Sequence, residues 1–90
     1  MLQNFHLIKA EYKGATNYGS AKVKITSLRF PKDSISVPVS YQFNNIADQS
    51  AELLKSIGFK IKGKGYDEAK GYFILISETF EPIKDNFKKR

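Results

Sequence analysis

The chain has 90 residues, 41% of them hydrophobic, and 15 lysines and arginines against 9 acidic residues give a formal net charge of +6 at pH 7. This length allows one domain with a single hydrophobic core, and the absence of cysteine excludes disulfides, thiolate catalysis and cysteine-ligated zinc. The first residues lack the basic segment and long apolar run of a signal peptide, and no apolar run could span a membrane, so we expect a cytoplasmic protein without a membrane partner.

Two strands are predicted near the start of the chain, over residues 3–12 and 21–30. The first segment is strand-like with apolar side chains on both faces, and in the second Val23 and Ile25 alternate with polar residues, which is the period of a half-buried strand. The segment 13–20 between them contains the glycines and the asparagine typical of a hairpin loop. The apolar side chains change phase near Thr26 and Ser27, which predicts a bulge there or a second short segment.

A third strand and a helix are predicted in the middle of the chain. Over residues 34–43, large apolar side chains alternate without exception with serine, proline or glutamine, which is the pattern of a half-buried strand. Pro38 has no amide hydrogen, which places this strand at a sheet edge or at a bulge. The helix is predicted over residues 45–57, with Asn45 as its N-cap and Gly58 at the left-handed position after its last turn.

Two further strands, over residues 59–64 and 71–80, complete the predicted sheet. The second is apolar on both faces, which is typical of a strand in the interior of a sheet. The order β-β-β-α-β-β predicts an α+β fold, a twisted and mainly antiparallel sheet with the helix packed on one face. We expect residues 1–82 to form this single domain and residues 83–90 to be a basic tail with a short helical turn.

Lysine occurs at every second position of the stretch KIKGKGY, so a regular strand would direct all three of its lysines to the same face. The strand over residues 21–30 places two more lysines opposite its apolar side chains. If the helix covers the apolar face, these five ammonium groups lie on the other one, where Tyr66 and either Phe73 or Tyr72 would add aromatic surface. Cations that follow a phosphate backbone, beside rings on which bases stack, are typical of proteins that bind single strands. The predicted nucleic-acid contacts are Lys22, Lys24, Lys60, Lys62, Lys64, Tyr66 and Phe73.

No pattern typical of a catalytic or metal site is found in the sequence. His6 is the only histidine, and Asp67–Glu68 lies in a predicted loop. Residues 58–64 match the G-x-x-x-x-G-K part of a phosphate-binding loop, but Gly65 replaces the serine or threonine that should follow, and the segment leaves a helix instead of entering one. We therefore expect no enzyme activity, no cofactor and no bound metal.

Two functions are compatible with the basic composition. All cations except Arg29 and Arg90 are lysine, which attracts phosphate as a point charge, whereas arginine reads base edges. We therefore expect a non-enzymatic accessory protein that binds nucleic acid, single-stranded DNA or RNA in preference to duplex, mainly through phosphates. The alternative is a small inhibitor or adaptor, from a phage or another mobile element, that binds an acidic protein surface through its basic face, or that adds an edge strand to a partner protein or to a second copy in a homodimer. Lysines that only keep a small sheet protein soluble would give the same pattern.

Overall fold

The chain folds into one antiparallel sheet and two helices, which a computed structural model describes for residues 4–14 and 19–88. The elements in chain order are β1 (His6–Lys13), β2 (Lys22–Ser27), β3 (Ser34–Pro38), α1 (Ile46–Ser56), β4 (Ile61–Asp67), β5 (Tyr72–Ser77) and α2 (Ile83–Lys88). The five strands lie in the order β3-β2-β1-β5-β4, and all neighbours are antiparallel. The predicted α+β class and β-β-β-α-β-β order are confirmed. Neither helix in this part of the chain is long and apolar enough to cross a membrane.

The hydrophobic core lies between α1 and one face of the sheet. Alternate side chains of β1, β2 and β5 face the helix, as the period of a strand requires. Ile83, in the segment predicted to be a basic tail, is fully buried in this core, whereas Lys89 and Arg90 lie outside the described residues. The buried apolar side chains are Ile8, Ala10, Val23, Ile25, Ile35, Ala47, Leu54, Phe59, Leu75 and Ile83.

Both ends of α1 are closed by the residues that the sequence predicts. The Asn45 side chain accepts a hydrogen bond of 2.9 Å from the Asp48 amide, which satisfies a free donor of the first turn. At the other end Gly58 has a φ of 101°, and the Phe59 amide donates to the Leu54 carbonyl over 2.9 Å. This is the Schellman arrangement, in which a left-handed glycine allows the chain to satisfy the last helical carbonyls.

The second and third strands are shorter than predicted. β2 ends at Ser27, so the change of apolar phase marks the end of the strand instead of a bulge or a second short segment. β3 lies at the edge of the sheet, as Pro38 predicts, and the chain leaves the sheet after that residue. The Gln49 side chain of α1 stabilises the backbone where it leaves the sheet, because it donates to the Pro38 carbonyl and accepts from the Ser40 amide. Residues 15–18 of the loop predicted over residues 13–20 lie outside the described residues.

The fourth and fifth strands form a hairpin at the other edge of the sheet. β4 begins two residues later than predicted and continues to Asp67, whose side chain accepts the amides of Ala69 and Lys70 in the connecting turn. β5 lies between β1 and β4, so its predicted interior position is confirmed. A shift in pairing between Ile61 and Gly63 places a β-bulge near the start of β4.

The conformation of Gly58 leads to a first prediction. A Cβ at this position would meet no atom within 4 Å, so the cost of Gly58→Ala comes only from its positive φ. We expect the substitution to lower the free energy of unfolding by about 1 kcal/mol, measured by urea denaturation. Gly65→Ala is the matched control, because that site is equally open and its φ is not positive. An equal effect of the two substitutions would contradict the proposed role of the left-handed turn.

Candidate nucleic-acid interface

One face of the sheet is not covered by the helices, and we call it the open face. Because Ile8 and Ala10 face α1, the neighbouring positions of β1 point away from it, and the register extends this face to β2 and β5. Its main side chains are Lys9, Glu11 and Lys13 from β1, Lys22 and Lys24 from β2, and Tyr72, Ile74 and Ile76 from β5.

The predicted lysines do not form one patch, because β2 and β4 lie on opposite sides of the central strands. Two strands, β1 and β5, separate them. At a spacing of about 4.8 Å between neighbouring strands, β2 and β4 are about 14 Å apart. Lys22 and Lys24 thus lie on one side of the open face, and Lys62 lies on the other.

Lys64 lies on the opposite face from Lys62, so its predicted position is wrong. The bulge near the start of β4 shifts the pairing, and Lys64 becomes the partner of Leu75, whose side chain faces α1. The Lys64 ammonium group is hydrogen-bonded to Asp48 of α1. Lys62 instead forms an ion pair of 3.5 Å with Glu78, and Lys60 is exposed just before β4. A bulge cannot be read from a regular lysine alternation, which explains the error.

The two predicted stacking residues also lie on the helix side of the sheet. Tyr66 and Phe73 are paired across β4 and β5, with ring centroids 4.9 Å apart, and Phe73 packs against the core. Phe73 faces this side because it is the partner of Ala10, which is buried beneath α1. Tyr72 is therefore the aromatic residue that β5 contributes to the open face, and the Lys9 ammonium group lies 5.2 Å from its ring centroid.

Glu11 neutralises part of the positive charge on the open face. Its carboxylate contacts Lys9 at 3.1 Å and Lys13 at 3.6 Å. Burial raises the pKa of the Glu11 carboxyl, but the hydrogen bonds and charges of the two lysines together outweigh burial and hold this pKa below its usual value. Lys24 lies opposite Glu11 in the register, yet within the described ranges neither Lys24 nor Lys22 makes an ion pair. These two are the uncompensated cations of the open face.

A second surface feature, which the sequence reasoning missed, lies at the end of the sheet where β2 and β5 terminate. The Arg29 guanidinium lies 5.6 Å from the ring centroid of Phe30 and 5.4 Å from that of Phe80. The two rings are 47% and 39% exposed. We call these three residues the Arg29 cluster. The sequence feature that could have indicated this cluster is the pair Arg29–Phe30 before Pro31. The strand predicted over residues 21–30 includes this pair and therefore gives no indication of a surface site.

His6 supports the Arg29 cluster from below. It is fully buried, and its ring stacks on that of Phe80 with centroids 5.4 Å apart. Since a carbonyl only accepts, Nδ1 donates to the Thr79 oxygen over 2.9 Å, and Nε2 then accepts from the Ser27 hydroxyl over 2.6 Å. The Ser27 oxygen in turn accepts the Phe30 amide over 3.0 Å. Because His6 and Ser27 are both fully buried, a substrate could reach neither, and their contacts position the surrounding segments.

Within residues 4–14 and 19–88, no group of three or more histidine, aspartate and glutamate side chains is placed to hold a metal ion. Comparison with known proteins finds no matching family model, no matching curated protein and no matching solved structure. The function is therefore inferred from the geometry of the open face and of the Arg29 cluster.

The contacts of Ser27 give a second prediction. Ser27→Ala removes the donor to His6 and leaves the Phe30 amide without its acceptor, so we expect the free energy of unfolding to fall by about 1–3 kcal/mol in urea denaturation. Ser36→Ala, at an exposed position of β3, is the control and should change it little. A Ser27→Ala protein as stable as this control would refute the supporting role of the His6 contacts.

Proposed function

We propose that the protein binds single-stranded nucleic acid through the open face and does not catalyse a reaction. The observation that carries this proposal is the position of two uncompensated cations, Lys22 and Lys24, on the same face as the half-buried ring and aliphatic side chains of β5, with β1 between the two strands. Phosphates would contact the lysines, and unpaired bases would lie on the apolar surface. Proteins that bind single strands without a fixed sequence combine these two features. A protein without cysteine is suited to the reducing cytoplasm, where we place this activity.

The shape of the open face supports a single strand of nucleic acid as the ligand. Gly63 and Gly65 of β4 are the partners of Ile76 and Ile74, and open space surrounds the position of a Cβ at either glycine. The surface beside the two isoleucines is therefore low and flat, so a base could approach them closely. The bases of a duplex are stacked on each other and are not available to such a surface, whereas the bases of a single strand are.

The cations of the open face favour contacts to phosphate over the reading of base edges. All of them are lysines, whose ammonium groups attract phosphate without imposing the planar geometry that arginine uses for guanine. Lys13 and Lys22 are direct partners across β1 and β2, so two positive charges are adjacent at this end of the sheet. An anion placed between them would relieve their repulsion, which favours a polyanion as the ligand.

The competing proposal is an acidic protein surface as the partner. Charge alone does not distinguish an acidic protein from nucleic acid as the ligand, because both would contact the lysines. The aromatic rings at this surface favour nucleic acid, since bases stack on such rings: Tyr72 is half-buried on the open face, and Phe30 is 47% exposed at its end. An acidic protein partner is therefore kept as an outcome of the following measurements.

The third prediction concerns the dependence of binding on salt. We expect the affinity for labelled single-stranded oligonucleotides, measured by fluorescence anisotropy, to fall steeply as salt rises. In a Lys22→Ser/Lys24→Ser variant, the loss of two phosphate contacts should reduce the slope of log affinity against log salt by about 1.4, at about 0.7 for each contact.

The control for this variant is Lys55→Ser/Lys88→Ser, which makes the same change in net charge on the two helices. Its slope should stay near that of the wild type. An equal effect in both variants would indicate attraction by net charge alone. If the wild type binds no nucleic acid at any salt concentration, the proposal is wrong, and an acidic protein becomes the partner to search for.

The fourth prediction is a gain of affinity. Glu11→Gln removes the carboxylate that engages Lys9 and Lys13, so both lysines become available to phosphate. We expect tighter binding and a slope steeper by up to about 1.4. Glu52→Gln, which removes a carboxylate paired with Lys55 on α1, is the matched control and should leave binding unchanged. Because a damaged fold does not gain affinity, a gain in Glu11→Gln alone would locate the ligand on the open face, and no gain would argue against it.

A further inference from the structure

The guanidinium of Arg29 is held in place but its charge is not compensated. It rests on the rings of Phe30 and Phe80 and, within the described ranges, makes no ion pair and no hydrogen bond. The two ring contacts restrict the side chain, and its hydrogen-bond donors remain available to a ligand. Such a guanidinium suits a phosphate group, which it can contact through two parallel hydrogen bonds.

An apolar cavity of about 430 Å³ opens beside the Arg29 cluster. The rings of Phe30 and Phe80 and the ring of Pro82 form part of its wall, and Lys32 and Lys84 also line it. This volume lies in the range of pockets that bind small organic ligands. Asp33 and Asp85 also line the cavity, so two carboxylates accompany the two lysines in its wall.

The cavity is formed before any ligand binds, because its two sides are joined. Asp33, at the end of the turn after β2, accepts the amides of Ile83 and Lys84 at the start of α2, over 2.7 and 2.8 Å. The Phe30 side is fixed further by the hydrogen bond that the Phe30 amide donates to the Ser27 hydroxyl oxygen. A ligand that enters between these walls therefore loses little free energy to ordering of the protein.

The Arg29 cluster is continuous with the open face. A smaller cavity of about 240 Å³ is lined by Phe5, Leu7, Leu28, Arg29 and Phe80. Leu7 also belongs to the open face, where it is the partner of Ile76. The length of β5 from Tyr72 to Ser77 is about 17 Å, so a strand that lies on the open face can reach the cluster.

We propose that one unpaired nucleobase enters the cavity between Phe30 and Phe80 while Arg29 contacts an adjoining phosphate, an inference that rests on the proposed function. It assigns a base-binding pocket in addition to the phosphate contacts of the open face. It also gives a physical reason for a preference for single strands, since a base enters a pocket only when it is unpaired. Charge and shape agree on this ligand: the cations suit a phosphate, and the rings and proline suit a flat aromatic base.

The test compares two labelled single-stranded oligomers of equal length, oligothymidine and an abasic oligomer that keeps only sugars and phosphates. We expect the wild type to bind oligothymidine at least about fivefold more tightly, as one stacked base would give. In Phe30→Ala this ratio should fall severalfold, to the part that bases on the open face contribute, while the affinity for the abasic oligomer stays the same. Tyr41→Ala, which truncates an aromatic side chain that is 87% exposed, is the control and should keep the ratio.

A ratio near one in the wild type, or an unchanged ratio in Phe30→Ala, would overturn the base pocket. Salt-dependent binding with an unchanged ratio above one in Phe30→Ala would leave the proposed function intact. A wild-type ratio near one would leave only its phosphate contacts, and no binding of either oligomer would remove both proposals. Photo-crosslinking of the wild type with an oligonucleotide that contains 5-iodouracil needs no variant and therefore no assumption about folding. Adducts on Phe30 or Phe80, identified by mass spectrometry, are expected, and adducts confined to Tyr72 or to the helices would overturn the inference.

Discussion

The buried ring of His6 fixes the end of the sheet on which the proposed binding surface depends. Both of its nitrogens have partners, the Thr79 carbonyl and the Ser27 hydroxyl, and a buried polar group that lost one of them would cost free energy with no water to replace it. The turn after β2 and the segment after β5 are therefore held against the same side chain. As a result, the rings of Phe30 and Phe80 both contact the His6 ring, and the Arg29 guanidinium lies over them. The two phenylalanines meet in this way although they are distant in the sequence.

The bulge near the start of β4 has the next largest effect on the surface. It moves Lys64 to the helix side, where this residue contacts Asp48, and it leaves Gly63 and Gly65 on the open face. One irregularity in the pairing thus divides a lysine-rich segment between two faces and lowers the surface beside β5. Glycines weaken a strand interior, and here they coincide with the part of the sheet where the neighbouring Ile74 and Ile76 need space if a flat ligand is to approach.

The sequence predicted those features that depend on neighbouring residues and missed those that depend on distant ones. The caps of α1 and the edge position of β3 follow from Asn45, Gly58 and Pro38, whose chemistry acts locally. Period-two alternation assigns side chains to one of two faces, but it does not say which strands are neighbours or where a bulge reverses the phase. The prediction that the five lysines share one face is wrong for both reasons. The Arg29 cluster joins residues from two separate turns, and no local pattern predicts that they meet.

The proposal that the positive charge of this protein has more than a solubilising role rests on the cations that lie near exposed apolar side chains. Ion pairs with carboxylates occur on both faces of the sheet, for Lys55 and Lys64 on the helix side and for Lys62 on the open face. Lys22, Lys24 and Arg29 have no such partner within the described ranges, and they lie on or next to a surface that exposes Leu7, Leu28, Phe30 and Phe80. Solubility requires charge at the surface, but it is not served by adjacent exposed apolar side chains. A ligand that is both anionic and aromatic accounts for the two properties together, and a single strand of nucleic acid has that chemistry.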